Sequence, residues 1–215
     1  MASQEPYIIG IAGPSCSGKT LLAEHLAARL PGGRAPGTRT PIVSLDSYYR
    51  DLSHLEIAER TRQNFDAPEA LDWPLLERDL AALARGQRVA TPVYDFAAHT
   101  RASQTQRIVP GTFLIVEGLL ALHDPAIRRF YKTSVFVDCS HPVCLARRIE
   151  RDTRTRGRTR QSVLAQYEET VRPMADQYVL PTRQFADITV SGEPPVEASA
   201  TIVLEHIARN SGTAP

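Results

Sequence analysis

Along this chain short apolar runs alternate with stretches in which apolar residues return every three or four positions. The runs predict strands at 7–12, 41–45, 112–117, 133–138 and 186–190. Between them, Leu22, Leu26 and Leu30 share one face of a helix over about 19–30, which Pro31-Gly32-Gly33 stops. Asp72 reads as the N-cap of a second helix, with Pro74 in its first turn, Leu75, Leu76, Leu80 and Leu83 as its apolar residues, and Gly86 closing it. The Gly/Pro/Arg/Thr-rich residues 32–41 read as a surface loop. Arg88 to Tyr94, with Arg107-Ile108-Val109 as antiparallel partner, predicts a hairpin that interrupts the alternation. The expected architecture is α/β, a mainly parallel sheet flanked by helices. It forms one domain over 1–209, with a hairpin insertion at about 88–110, an Arg-rich lid at about 151–162 and a frayed tail at 210–215. No internal repeat is visible.

Composition narrows the classes. The 215 residues are 42% hydrophobic, enough for a core without disulfides. Of 25 basic residues only Lys19 and Lys132 are lysine, and with 24 acidic residues the formal net charge is +1. That balance gives no pull toward nucleic acid or an anionic membrane. Cys16, Cys139 and Cys144 are odd in number and lack paired C-x-x-C spacing, so reduced thiols in a cytoplasmic protein are expected. Neither a signal peptide nor a membrane span is expected.

Chemistry enters directly after the first apolar run. Gly13-Pro14-Ser15-Cys16-Ser17-Gly18-Lys19-Thr20 is a G-x-x-x-x-G-K-T phosphate-binding loop between a strand and a helix, which makes the fold P-loop NTPase-type. Such a loop aims successive backbone N–H groups and a helix N-terminus at a polyphosphate. Lys19 reaches the β- and γ-phosphates, and Thr20 offers a hydroxyl to Mg²⁺. Asp46 ends the second apolar run, where a carboxylate can take a proton from an attacking hydroxyl, or can simply make a turn before Ser47. Glu117 ends Phe113-Leu114-Ile115-Val116 and suits the second carboxylate of a metal hydration shell, or a strand-end charge facing solvent. Tyr94, Phe96 and His99 can stack on and hydrogen-bond to a flat polar ring, or serve the core. Arg147 to Arg160 holds seven arginines around Gly157: a phosphoryl clamp, or a solvated basic helix.

Taken together, these residues resemble the phosphoribulokinase/uridine kinase family of P-loop kinases, on its uridine–cytidine kinase side. The matching stretches are the P-loop, Ser44 to Tyr49, Asn64 to Asp72, Pro92 to Arg101, Val116-Glu117-Gly118, Ala146 to Arg158, Gln166-Tyr167 and Leu180 to Asp187. The resemblance implies transfer of the γ-phosphoryl of ATP or GTP to the 5′-hydroxyl of uridine or cytidine. It makes Asp46 the general base and lets Arg151 and Arg156 steady the phosphates. It assigns Asp72, Arg158 and Gln166 to the nucleoside pocket, Tyr94 and His99 to the pyrimidine edge, Phe96 to the ring, and Arg148 to the nucleoside side. It also implies a homo-oligomer, a tetramer, inhibited by UTP or CTP.

Three departures from the family pattern stand out. Ala67 replaces a frequent His, Leu71 a frequent Phe, and Ser191-Gly192-Glu193-Pro194-Pro195 differs from the usual turn near the adenine. His99 is retained, so both uridine and cytidine are expected to react. A GTPase would need an N-K-x-D guanine reader, but Lys132 follows Tyr131. A related kinase acting on a sugar phosphate or other small hydroxyl compound, and a non-catalytic nucleotide sensor, would both fit a P-loop of this kind.

Overall fold

The computed structural model describes residues 5–32 and 39–211. In chain order its elements are β1 (Tyr7–Ala12), α1 (Lys19–Arg29), β2 (Ile42–Ser44), α2 (Ile57–Arg60), α3 (Trp73–Ala84), β3 (Val89–Asp95), β4 (Thr100–Ile108) and β5 (Phe113–Glu117). There follow α4 (Pro125–Arg128), β6 (Thr133–Asp138), α5 (His141–Thr155), α6 (Arg160–Gln166), α7 (Arg172–Met174), β7 (Ile188–Ser191) and α8 (Val196–Ser211). Five strands form one sheet in the order β2-β5-β1-β6-β7, parallel at every pairing.

Why the strands read as unbroken apolar runs follows from their two covered faces. Side-chain alternation in β1 sends Ile8 and Ala12 into the core shared with Leu76, Leu80 and Leu83 of α3. Ile9 and Ile11 enter the opposite core, with Leu22 and Leu26 of α1 and Ala200, Val203 and Ile207 of α8. Each large aliphatic side chain so buried contributes about 1.5–3 kcal/mol. Because β1 has β5 on one side and β6 on the other, the chain winds outward in both directions from it. A crevice therefore opens at the carboxyl ends of the central strands, where the P-loop begins.

Several element boundaries differ from expectation. Leu45 opens a 3-10 turn, Leu45–Tyr48, and the last strand runs over Ile188–Ser191. In the hairpin, β3 pairs with β4 from Thr100 onward, well before Arg107, with a register break between Pro92 and Tyr94. Residues 103–107 are exposed polar side chains, so this ribbon carries no apolar period to read. Positions 33–38 of the expected loop lie outside the described residues. The tail expected from Asn210 is still helical through Ser211, and 212–215 lie outside the description.

Downstream of the arginine segment, α6 and α7 belong to one helical path that also contains wider π turns at Tyr167–Val171 and Ala175–Val179. Each π turn stands just before a proline, Pro173 or Pro181. A proline donates no N–H and its ring displaces the carbonyl four residues back, so the backbone widens there.

Candidate active site

The P-loop gets its shape from two left-handed residues. Gly18, the N-cap of α1, has φ +98° and Cys16 has φ +64°. Ser17 lies between them and donates its N–H to the Pro14 carbonyl at 3.1 Å. Alternating hands turn neighbouring N–H groups toward one point, a concavity suited to an anion at the start of α1. Just behind it the Thr20 hydroxyl donates to Glu117 at 3.0 Å, and the Ser44 hydroxyl donates to the other Glu117 oxygen at 2.7 Å. Glu117 is only 4% exposed, so the strand-end carboxylate faces this cluster and not solvent. An all-oxygen donor set of this kind fits a small hard cation such as Mg²⁺. Among the described residues, no group of three His, Cys, Asp or Glu could hold a metal by itself. A cation here would need phosphate and water to complete its shell.

Asp46 sits at the carboxyl end of β2 in the turn that follows it. Burial raises its carboxyl above the ordinary value; Lys19 opposes that rise, while Glu117 and Asp66 add to it. The Tyr49 hydroxyl donates to Asp46 at 3.5 Å. Asp66 joins the same electrostatic neighbourhood. Burial raises its carboxyl too, and Arg148, Lys19, Arg151 and Arg156 pull it down. Among the described residues the Asp66 carboxylate has no hydrogen-bond partner, so its oxygens remain available.

Opposite this charged floor stands an aromatic wall. Tyr94 packs edge-on against Tyr49, Phe65 and Phe96, with centroids 5.2, 6.1 and 5.3 Å apart, and His99 stacks on Phe65 at 5.6 Å and 22°. Among the described residues the buried Tyr94 hydroxyl has no hydrogen-bond partner, and burial pushes its pKa up to about 12, so it stays a neutral donor. Phe96 is 54% exposed at the rim. Burial, with Arg158 nearby, lowers the His99 pKa; Asp95 partly opposes this. The ring is therefore held toward its neutral form.

Asp72 caps α3 as expected, one carboxylate oxygen accepting the Leu75 N–H at 3.2 Å. Its other oxygen accepts Arg101 at 3.1 Å, and Arg101 also donates to the Tyr49 carbonyl at 2.8 Å. Asp72 thus ties the hairpin to the turn that carries Tyr48 and Tyr49.

The arginine segment is organised by one carboxylate. Asp152 is fully buried, and Arg148, Arg151, Arg156 and Arg158 lie 3.7, 2.8, 3.6 and 3.7 Å from its oxygens. Arg148 reaches forward to donate to the Ser15 hydroxyl at 2.9 Å, and donates to the Gln166 side-chain oxygen at 3.1 Å. Arg158 donates to that same Gln166 oxygen. Arg151 and Arg154 stand on α5, Gly157 turns the chain with φ +63°, and α6 begins at Arg160. The arginines around Asp152 thus form a network on α5 and the turn after it, tied to α6 through Gln166, and a solvated basic helix describes only Arg154, whose side chain is 74% exposed, and the exposed Arg160.

On the far side of the P-loop a cavity of about 640 Å³ is lined by Lys19, Thr20, Leu22, Val137, Arg147, Gly192, Pro194 and Pro195, among others. Its wall includes the unusual turn at 191–195. The cleft therefore joins a chamber with mixed walls of aliphatic, proline and basic side chains, a phosphate-shaped loop, paired carboxylates and an aromatic cluster. It brings Lys19, Thr20, Asp46, Glu117, Tyr94, His99, Arg148, Arg151, Arg156, Arg158 and Gln166 into one connected arrangement. Ser44, Tyr49, Phe65, Asp66, Arg101 and Asp152 share it without having been singled out by sequence. All six lie within stretches that carry the family likeness, and that likeness assigned the ribose to Asp72 and left Asp66 unassigned.

A model of the Phosphoribulokinase / Uridine kinase family matches residues 8–199. A uridine kinase from Shewanella amazonensis is 45% identical over 191 residues, covering 88% of this chain and 89% of that one. A uridine kinase from Vibrio cholerae is 42% identical over 202 residues, covering 94% of each. Among solved structures, phosphoribulokinase from Rhodobacter spheroides superposes with a TM-score of 0.65 at 19% identity, over 87% of this chain and 70% of that one. At that identity the likeness speaks to the fold alone.

Proposed function

Because this chain belongs to the phosphoribulokinase/uridine kinase family, we propose that it is a uridine kinase that moves the γ-phosphoryl of ATP or GTP to the 5′-hydroxyl of uridine or cytidine. The observation that carries the reading is Asp46, which feels the charge of the P-loop Lys19 and accepts from Tyr49 of the aromatic cluster. In the transfer, the 5′-oxygen bonds to the γ-phosphorus, the bond to the β–γ bridging oxygen breaks, and the hydroxyl proton passes to Asp46. UMP or CMP and the nucleoside diphosphate result. Lys19, Arg151 and Arg156 stabilise charge on the moving phosphoryl. Thr20 and Glu117 would hold Mg²⁺, which when bound neutralises charge on the phosphates.

The nucleoside enters from the aromatic side. A neutral His99 can donate a hydrogen bond through one ring nitrogen or accept one through the other, which suits both the uridine and the cytidine edge. Tyr94 adds a donor and Phe65 a stacking face. Asp72 is already engaged by Leu75 and Arg101, so the free carboxylate of Asp66 takes the ribose hydroxyls, with Arg158 and Gln166 beside it. Asp72 contributes by holding the hairpin in place. The family likeness further supports a cytoplasmic homo-oligomer, a tetramer, subject to inhibition by UTP or CTP; among the described residues no helix is long and apolar enough to cross a membrane.

The test supplies Mg·ATP with uridine, cytidine, adenosine or ribulose 5-phosphate in turn, following ADP and identifying products by mass. UMP and CMP are expected. ADP formed only with the sugar phosphate would overturn the nucleoside pocket, nucleotide binding without turnover on any of the four would favour a sensor, and turnover of uridine alone would remove the dual role of His99.

A further inference from the structure

Two backbone carbonyls, a cysteine sulfur and one guanidinium meet behind the P-loop. When a P-loop turns its N–H groups toward an anion, its carbonyls point the other way and need donors of their own. The carbonyl of Cys16 belongs to the strained residue of the loop, at φ +64°. A non-glycine residue in that conformation costs about 1 kcal/mol and persists only where its surroundings hold it. Arg147 donates from one guanidinium nitrogen to the Gly192 carbonyl at 2.8 Å and to the Cys16 carbonyl at 3.5 Å, with the Cys139 sulfur 3.8 Å away. That same nitrogen is 3.9 Å from where a side chain on Gly18 would begin. Gly192 in turn lies against the loop so closely that a Cβ there would fall 1.8 Å from the Ser17 carbonyl oxygen. Arg147, Gly192 and the loop therefore form one stack, and all three line the 640 Å³ cavity.

We infer that Arg147 is a positioning residue for the donor nucleotide: it locks the left-handed Cys16 peptide of the P-loop to the turn at Gly192 and so fixes the shape of the donor chamber. Its neighbour Arg148 points the other way, to Ser15 and Gln166, so two adjacent arginines of α5 serve opposite sides of the cleft. Arg147 contacts neither the aromatic box nor the carboxylates around Asp46. Loss of Arg147 should then weaken the donor and leave the acceptor alone. Only the guanidinium can span both carbonyls from α5, because a lysine ammonium has one short point of charge.

The inference rests on the kinase reading, so its test begins with donor binding and needs no acceptor. Calorimetric titration of Mg·ADP would compare the wild type with Arg147→Met, Arg147→Lys and the double variant Arg147→Met/Cys16→Gly. We expect the Kd for Mg·ADP to rise about tenfold in Arg147→Met, with Arg147→Lys recovering little. Cys16→Gly should restore several-fold of the loss, since glycine takes a positive φ without cost. In steady state the KM for ATP should rise while the KM for uridine stays within about twofold. An unchanged Kd in Arg147→Met, or a KM for uridine that rises in parallel, would overturn the role. So would failure of Cys16→Gly to recover any affinity, which would reduce Arg147 to ordinary packing. A wild-type protein that binds no Mg·ADP would instead overturn the donor-site reading on which the inference stands.

Discussion

An ionised Asp46 stands where its own charge is disfavoured: burial raises its pKa, and Glu117 and Asp66 repel it against the attraction of Lys19. The folded protein holds that proton more tightly than the unfolded chain does. Its contribution to stability is present at low pH and is lost as pH rises from the ordinary carboxyl value through the raised one. The proposed role of general base asks for the opposite, because such a base must be unprotonated, so in that role activity should rise with pH across the same window. Asp46→Asn separates the two demands. The rate should fall by about 10²–10⁴ while Mg·ATP still binds, and the melting temperature should equal or exceed that of the wild type. A variant with near-normal kcat, or one that melts well below the parent, contradicts this account. Cysteine chemistry is a second matter of single residues. Burial pushes the thiols of Cys139 and Cys144 up, so both stay protonated, whereas Cys16 lies half-buried in the P-loop. Alkylation followed by mass spectrometry should find Cys16 modified first, with Mg·ATP protecting it and Cys16→Ser resisting inactivation. Equal labelling of all three thiols would refute that order.

On α5, the fully buried Asp152 is shared by four arginines of that helix and the turn that follows it. Without its charge these guanidinium groups would repel one another across the turn at Gly157. Breaking a buried pair typically costs about 3–5 kcal/mol, so Asp152→Ala should lower unfolding stability by about 3 kcal/mol and the melting temperature by about 6–12 °C. Urea denaturation measures this directly; a loss below about 1 kcal/mol would mean the network behaves as a surface cluster. At this level the reach of the sequence becomes clear. The central strands and the helices at 19–30 and 73–84 were legible because period and caps agree, with Asp72 at one end of α3 and Gly86 past the other. The hairpin was half-legible, since β4 is polar on both faces over most of its length. The helical path from 160 to 185 was not, because prolines at 173 and 181 break the regular helical spacing and the backbone takes them in by widening into π turns just before them. In the site, a motif at fixed spacing such as the P-loop declared itself. Asp66 and Arg101 act with segments far apart in sequence: Arg101 donates to the Tyr49 carbonyl, and the Arg148 charge acts on Asp66. Local pattern carries no trace of those two, whereas the partners of Asp152 all lie within six residues of it.

Across the whole molecule, the cavity beside Arg147 and the aromatic cluster flank the P-loop, and the arginine network joins the loop to α6. Arg148 touches Ser15 of the P-loop and Gln166 of α6, and Arg158 meets the same Gln166 oxygen. In the proposed reading, a nucleotide that draws Arg151 and Arg156 onto its phosphates would also move their shared partner Asp152, and with it Arg148 and Arg158. Ligands on the two flanks are therefore expected to help each other, and the help must be reciprocal. A coupling of about 1–2 kcal/mol corresponds to roughly 5–30-fold in affinity. Titrating uridine with and without a saturating non-hydrolysable Mg·ATP analogue should show tighter binding by that factor, and the reverse titration should show the same factor for the analogue. In Gln166→Ala the two ends of the network lose their common acceptor, so the factor should shrink toward one while each ligand alone still binds. Equal uridine affinity with and without the analogue in the wild type would mean that the two halves of the cleft act independently, and that the arginines serve the phosphates alone.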